Sequence, residues 1–388
     1  MDIDFLAEAE ALAPEVTALR EDFHRHPELG NREFRTAEKV EEYLRSLGIE
    51  TARVLDTAVV GTLRGDAPGR CAALRADLDA LPVTEASGAP FASENAGVMH
   101  ACGHDVHLAA LLGTAKLLSA HKDALRGIIK FFFQPDEEGD GGARRMIAAG
   151  CMEGVDAVFG CHVSPDLPYG SVGVRYGKFY AASDIFDVTV LGKSAHGAER
   201  ENGIDALGAA AEMVTALLKL PEELLPEKSV VTVGAFHAGN KENVLPGRAD
   251  LLGILRTLGP DSRARLQRRF GETLEALAAR TGTSVEYRFR SGHGGVVNTE
   301  AETALVEETA AALFGADKVT RIGTPTMTSE DFGYFVEAAG AGSYYHVGAG
   351  CLAPLHSPDF LPRPGAAVMA AALHAAVAAR YLGSTAKQ

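Results

Sequence analysis

Apolar positions along the chain first follow a helical rhythm. Phe5, Leu12, Val16, Leu19 and Phe23 recur at helix spacing and predict one helix over 5–23. His24-Arg25-His26-Pro27-Glu28 ends it, because the residue before a proline is pushed towards extended conformation. His24 and His26 are therefore read as structural residues of a turn, not as metal ligands. A second helix over 33–47 lines up Phe34, Ala37, Val40, Leu44 and Leu47, with Gly48 placed to cap its C-terminus. Thereafter short apolar runs at 59–63, 71–74, 128–133 and 155–161 alternate with helical patterns at 105–120 and 142–149. The runs are close to continuously apolar, as strands are when both faces of a sheet are covered. The pattern predicts an α/β domain: a mostly parallel sheet covered by helices on both faces.

The rhythm changes near Ser183. Residues 185–191 alternate as a strand, and 203–219 form an Ala- and Leu-rich helical pattern. Strands follow at 229–236 and 249–256, then a long amphipathic helix at 260–281 and a strand at 285–289. The order β-α-β-β-α-β is that of a ferredoxin-like sandwich. After Ser291-Gly292-His293-Gly294-Gly295 the first rhythm resumes, with helices over 300–314 and 365–381. The expected organisation is a discontinuous domain, 1–183 and 296–388, interrupted by an inserted ferredoxin-like α+β domain at 184–295.

Composition narrows the classes. A chain of 388 residues is long enough for about two or three domains. Its net charge of −15, with no compensating basic block, argues against nucleic acid and anionic membrane as partners. The N-terminal stretch is acidic and amphipathic, unlike a signal peptide. No apolar run approaches the roughly 20 residues of a bilayer-spanning helix. Cys71, Cys102, Cys151, Cys161 and Cys351 are odd in number and scattered, which suits a reducing cytoplasm.

Polar chemistry gathers where the predicted strands end. Asp77 and Asp79 follow 71–74, Glu137 and Glu138 follow 128–133, and His162 follows 155–161. Ligands of such sheets bind beyond the carboxyl ends of the strands. The densest stretch is His100-Ala101-Cys102-Gly103-His104-Asp105-Val106-His107, which runs into the helix at 105–120. In an extended loop Cys102 and His104 share a face. A thiolate there gains from the helix N-terminus and from any bound cation. Imidazole, carboxylate and thiolate together suit Zn, Mn, Ni or Co without choosing among them. Glu137 and Glu138 diverge in an extended segment, so one can ligate while the other takes a proton from water and returns it to a leaving amine. His107 is read as a packing residue, and Cys71, Cys151, Cys161 and Cys351 as small buried apolar residues.

Eight strings extend this picture: RADLDALP at 75–82, MHACGHDVH at 99–107, FQPDEEGDGGA at 133–143, GCHV at 160–163, GKSAH at 192–196, NVLP at 243–246, SEDF at 329–332 and LHSP at 355–358. With them the sequence resembles the M20 metallopeptidase and amidohydrolase family. The branch is that of hippurate hydrolases, N-acyl-amino-acid amidohydrolases and auxin-conjugate hydrolases. The resemblance implies a catalytic domain with two divalent metal ions held by Cys102, His104, Glu138, His162 and His356, Cys102 bridging them. It implies Glu137 as general base and Asp79 as the residue that orients a ligand. Asp77 stands where the wider family commonly has a histidine ligand, and no metal role is carried to it. His196 matches a histidine that stabilises the oxyanion, often in the partner subunit's site. Asn243 and Arg256 match substrate-contacting positions, and each is equally readable as structural. Arg200 and Ala206 stand where prolines are common, which changes the loop after His196. The implied activity is metal-dependent cleavage of small N-acyl amino acids to a carboxylic acid and a free amino acid, by a homodimer paired through the inserted lid domain. The alternatives are a dipeptidase or aminopeptidase, and a non-catalytic metal-binding protein on the same scaffold. An intact Glu137 weighs against the latter.

Overall fold

The computed structural model describes residues 3–224 and 226–383. The backbone packs as two units. One takes the chain up to Gly177, Val297–Thr324 and the chain from Asp331; the other takes Lys178–Val296 and Pro325–Glu330. The inserted unit thus starts at Lys178 rather than at 184. It also claims Pro325–Glu330, a polar stretch without apolar periodicity that had been expected in the first domain.

The first expected helix is two helices, Phe5–Ala11 and Ala13–Arg25. Pro14 is the cause: it lacks an N–H and is tolerated only in a helix's first turn. The second of the pair buries Val16, Arg20, Phe23 and His24. The next helix, Phe34–Ser46, buries Ala37, Val40 and Leu44, while Phe34 at its start is 49% exposed. Gly48 follows with φ +72°, where a glycine has no Cβ to clash.

The main sheet has eight strands in the order Glu50–Arg53, Val59–Arg64, Arg126–Gln134, Ala67–Asp77, Ala157–Ser164, Gly342–Gly348, Val172–Val174, Val319–Arg321. Its centre, from Arg126–Gln134 to Gly342–Gly348, is parallel. Antiparallel joints flank that centre on both sides. The shortest strands span three or four residues, too few to show a period in sequence. Ala157–Ser164 is buried along its whole length, as the apolar run predicts. Helix Gly365–Gly383 packs on helix His104–Ala120 so closely that a Cβ on Gly113 would lie 3.3 Å from the Ala371 Cβ. At 19 residues this last helix is long and apolar enough to cross a bilayer, contrary to expectation, yet 89% of its apolar stretch is buried in the core.

The inserted unit carries a four-stranded sheet in the order Ser229–Ala238, Arg248–Thr257, Ala182–Leu191, Ser284–Ser291. All its pairings are antiparallel. Helices Ala206–Leu217 and Pro260–Thr281 lay Met213, Leu217, Phe270 and Leu274 over Phe186, Val190 and Leu251. This is the predicted ferredoxin-like arrangement.

Candidate metal centre

Gly103 makes the turn that begins the site. Its φ is +90°, and a Cβ there would stand 2.5 Å from Val163 Cγ2, so no other residue fits without displacement. His104 then opens helix His104–Ala120. Cys102 Sγ lies 3.3 Å from His162 Nε2, at the carboxyl end of strand Ala157–Ser164. His356 comes from far along the chain. Its N–H donates to Ala101 O at 2.8 Å, and its backbone takes the left-handed φ of +65°. Ligand atoms of Cys102, His104 and His162 lie within 4.8 Å of one another; so do those of Cys102, Glu138 and His356, and those of His104, Glu137 and Glu138. The shared members make one cluster.

Each donor is tied back on its other side. His104 Nδ1 donates to Asp79 O at 2.8 Å, which leaves Nε2 buried, 3.7 Å from Asp77 Oδ2 and without a hydrogen-bond partner among the described residues. His162 Nδ1 faces Val163 O at 2.7 Å and so carries the proton, freeing the Nε2 lone pair. Asp79 Oδ2 accepts the Glu138 N–H at 2.9 Å. His356 Nε2 is 3.0 Å from Glu138 Oε1, yet that oxygen has no aligned hydrogen-bond donor among the described residues. Two lone pairs converging on a third atom have this geometry.

The charges ask for a cation. Burial, then the Glu138 and Glu137 carboxylates, pushes the Cys102 thiol far up. A thiolate here therefore needs positive charge beside it. Burial opposes ionisation of Glu138, but His356 and His104 bring its pKa down to about 2. Burial, with His107 alongside, lowers His162 to about 3 and keeps it neutral. Buried polar atoms on His104 and Glu138 left without a hydrogen bond are costly unless something satisfies them. The residues present fit divalent ions of borderline softness.

Asp77 supports this cluster from behind. It accepts from Arg75 Nη1 at 2.6 Å and from His107 Nδ1 at 2.7 Å. His107 Nε2 in turn accepts the Val163 N–H at 3.0 Å. Both His107 nitrogens are occupied, so His107 cannot ligate, although it clusters with Asp77 and His104. It is a hydrogen-bonded bridge to the His162 strand rather than the packing residue expected. Sequence reasoning also missed Arg75, Gln134 and Asp331. Arg75 reaches Gln134 Oε1 at 2.8 Å and Asp331 Oδ1 at 3.0 Å. A lone cation inside an apolar strand was the available signal. Arg20 gave the same signal, lying between Val16 and Phe23 on one helix face. It donates to Asp105 Oδ2 at 2.9 Å and to Pro362 O at 2.6 Å. His24 is engaged by Asp105 and Glu85, which leaves neither nitrogen for a metal.

The inserted unit holds the remaining candidates in two places. His196, exposed, lies in the short strand Ala195–His196 opposite Val244, and Gly197 donates to Asn243 O at 2.8 Å. Arg200 pairs with Asp205 at 2.9 Å, and Ala206 starts the next helix. Arg256 is half-buried opposite Ser183 and Val230, and its Nη1 has no partner among the described residues. The His196 loop follows the Leu191–Arg248 end of the sheet, whereas Arg256 stands near the other end. From residue 248 to 256 the strand runs on the order of 25 Å at about 3.3 Å per residue.

Known proteins resemble this chain in sequence and in fold. Residues 73–380 match Peptidase family M20/M25/M40. The N-acetyl-L-cysteine deacetylase of Bacillus subtilis is 36% identical over 90% of this chain and 84% of its own. The N-acyl-L-amino acid amidohydrolase of Geobacillus stearothermophilus is 42% identical over 73% of this chain and 78% of its own. Thermostable carboxypeptidase 2 of Saccharolobus solfataricus is 36% identical over 94% and 95%. Among solved structures, a Bacillus subtilis dinuclear metal-binding peptidase of the M20 family superposes with a TM-score of 0.87 at 32% identity, over 97% of this chain and all of that one. By sequence along most of its length and by fold, this chain belongs to peptidase family M20/M25/M40.

Proposed function

We propose that the protein is a metal-dependent amidohydrolase that splits N-acyl amino acids into a carboxylic acid and a free amino acid. The observation that carries this reading is the convergence of Cys102, His104, Glu138, His162 and His356 on one cluster that also includes Glu137. Those five residues would hold two divalent ions, drawn from Zn, Mn, Ni or Co. When bound, such ions would supply polarisation of an amide carbonyl and acidification of a water. Glu137 takes the water's proton and delivers it to the departing amine. Asp79 keeps His104 and the Glu138 peptide in place through its two hydrogen bonds.

The inserted unit, in this reading, is the lid. The Arg256 guanidinium, whose Nη1 has no hydrogen-bond partner among the described residues, pairs with the carboxylate of the amino-acid half, with Asn243 contacting the substrate. His196 stabilises the oxyanion. A substrate the size of two residues spans only about 7 Å. The sheet end from which the His196 loop departs lies on the order of 25 Å from Arg256 along the strand, so in this reading one substrate meets the two residues from two chains. We therefore assign a homodimer paired through the inserted unit, in which His196 completes the partner's site.

A second reading is favoured by the carboxypeptidase relative. A peptide's C-terminal residue and an N-acyl amino acid share the acyl–NH–CHR–carboxylate group. The test is a screen of metal-reconstituted enzyme against N-acetyl, N-benzoyl and long-chain acyl amino acids and free-amine dipeptides. Acylated substrates should turn over faster, with loss of activity in chelator. Faster turnover of the dipeptides would contradict the first reading in favour of the peptidase.

A further inference from the structure

Asp136 precedes Glu137 and has φ +56°, a conformation disfavoured for any residue with a Cβ. Such outliers persist only where the surroundings over-determine them. Here three successive peptides are held. Glu33 Oε1 accepts the Asp136 N–H at 2.9 Å. Asp136 O accepts from Gly141 N at 3.2 Å and Gly142 N at 3.1 Å. The Glu138 N–H is bound by Asp79. The Asp136 side chain is fixed as well, by Arg145 Nη2 at 2.9 Å and by two glycines, Gly30 and Gly139, whose added Cβ would meet its Oδ1 at 2.3 and 2.2 Å. Glu137 sits inside this frame.

Glu33 is fully buried, and its second oxygen accepts the Thr57 hydroxyl at 2.8 Å. Burial pushes its carboxyl up to about 7, so near neutral pH an uncharged fraction exists and glutamine is a fair mimic of it. We propose that Glu33 is a positioning residue for hydrolysis: by holding the Asp136 peptide it keeps the Glu137 carboxylate directed into the donor cluster. This rests on Glu137 being the base. Glu33 itself touches none of the five candidate ligands in the hydrogen bonds above. Because the Asp136 carbonyl and the Glu138 N–H have other partners, losing Glu33 frees only the Pro135–Asp136 peptide, one residue before Glu137's own. The metal donors should then stay while the base drifts.

The experiment compares Glu33→Ala, Glu33→Gln, Thr57→Val and Glu137→Gln in the full-length, metal-reconstituted protein. Each is assayed for kcat, KM, metal content and melting temperature, well below melting. Misplacement of a catalytic group by about 1 Å can cost about 100-fold. We expect Glu33→Ala to lose roughly 10- to 100-fold in kcat, with KM within about threefold and metal content intact. Glu33→Gln, which keeps an acceptor for the Asp136 N–H, should return to within about threefold of wild type. Wild-type kcat in Glu33→Ala beside an inactive Glu137→Gln overturns this inference alone. An active, metal-loaded Glu137→Gln overturns the reading beneath it. Metal loss in step with activity, or a glutamine variant no better than alanine, also overturns the proposal. If Glu33→Ala does not fold, Thr57→Val decides: it loosens the carboxyl and should lower kcat with metal retained, and an unchanged kcat refutes positioning.

Discussion

Cys102 shows most clearly what a single residue is asked to do. Its thiol is buried between carboxylates that oppose its ionisation. Only a cation relieves that, so Cys102→Ser should lower metal content and activity together. Metal analysis of the purified variant checks this, and unchanged occupancy would remove Cys102 from the ligand set. The candidate ligands were legible in sequence because they sit next to each other or at strand ends: Cys102 with His104, Glu137 with Glu138, His162 after its apolar run. Their supports were not. Arg75 and Asp331 are 256 positions apart and meet only through the fold. His107 looked like one more helix residue until both its nitrogens proved to be bonded.

Helix Ala13–Arg25 carries the element-scale prediction. Through Arg20 it binds Asp105 in the first turn of the helix that His104 opens, and Pro362 in the segment that follows His356. Arg20→Met would leave Asp105 buried with less compensation, at about 3–5 kcal/mol for a broken buried pair. Denaturant unfolding of the metal-free protein measures it; a loss under about 1 kcal/mol would mean the pair is replaceable. His24 adds a pH dependence. Burial disfavours its charge, but Asp105 and then Glu85 outweigh burial and raise it from 6.5 to about 9. A raised histidine stabilises fully below its unfolded value and loses that contribution as pH rises through the folded one. Between pH 6.5 and about 9.5 the protein should lose up to about 3 kcal/mol, and His24→Gln should lose much less. Equal losses would contradict the assignment. At this scale the sequence announced most helices and central strands through their periods. It hid the break at Leu12, which turns on one proline, and the short flanking strands, whose pairing depends on neighbours far along the chain.

At the scale of the whole molecule the change of rhythm near Ser183 made an insertion legible, but not the return of Pro325–Glu330 to it. That segment belongs by packing alone. The proposed assembly through the inserted unit leads to a test with two inactive variants, His196→Ala and Glu137→Gln. After verified subunit exchange, a mixed dimer has one site with both defects and one with neither. Random mixing should then restore about a quarter of wild-type activity by two-fold symmetry. No recovery would place His196 in its own chain's site. The central claim, hydrolysis at a metal cluster with Glu137 as base, is tested most directly by Glu137→Gln, measuring metal content and turnover on the same sample. The expected result is full metal occupancy with turnover reduced by about 10²–10⁴-fold. Near-normal turnover in the metal-loaded variant would contradict it.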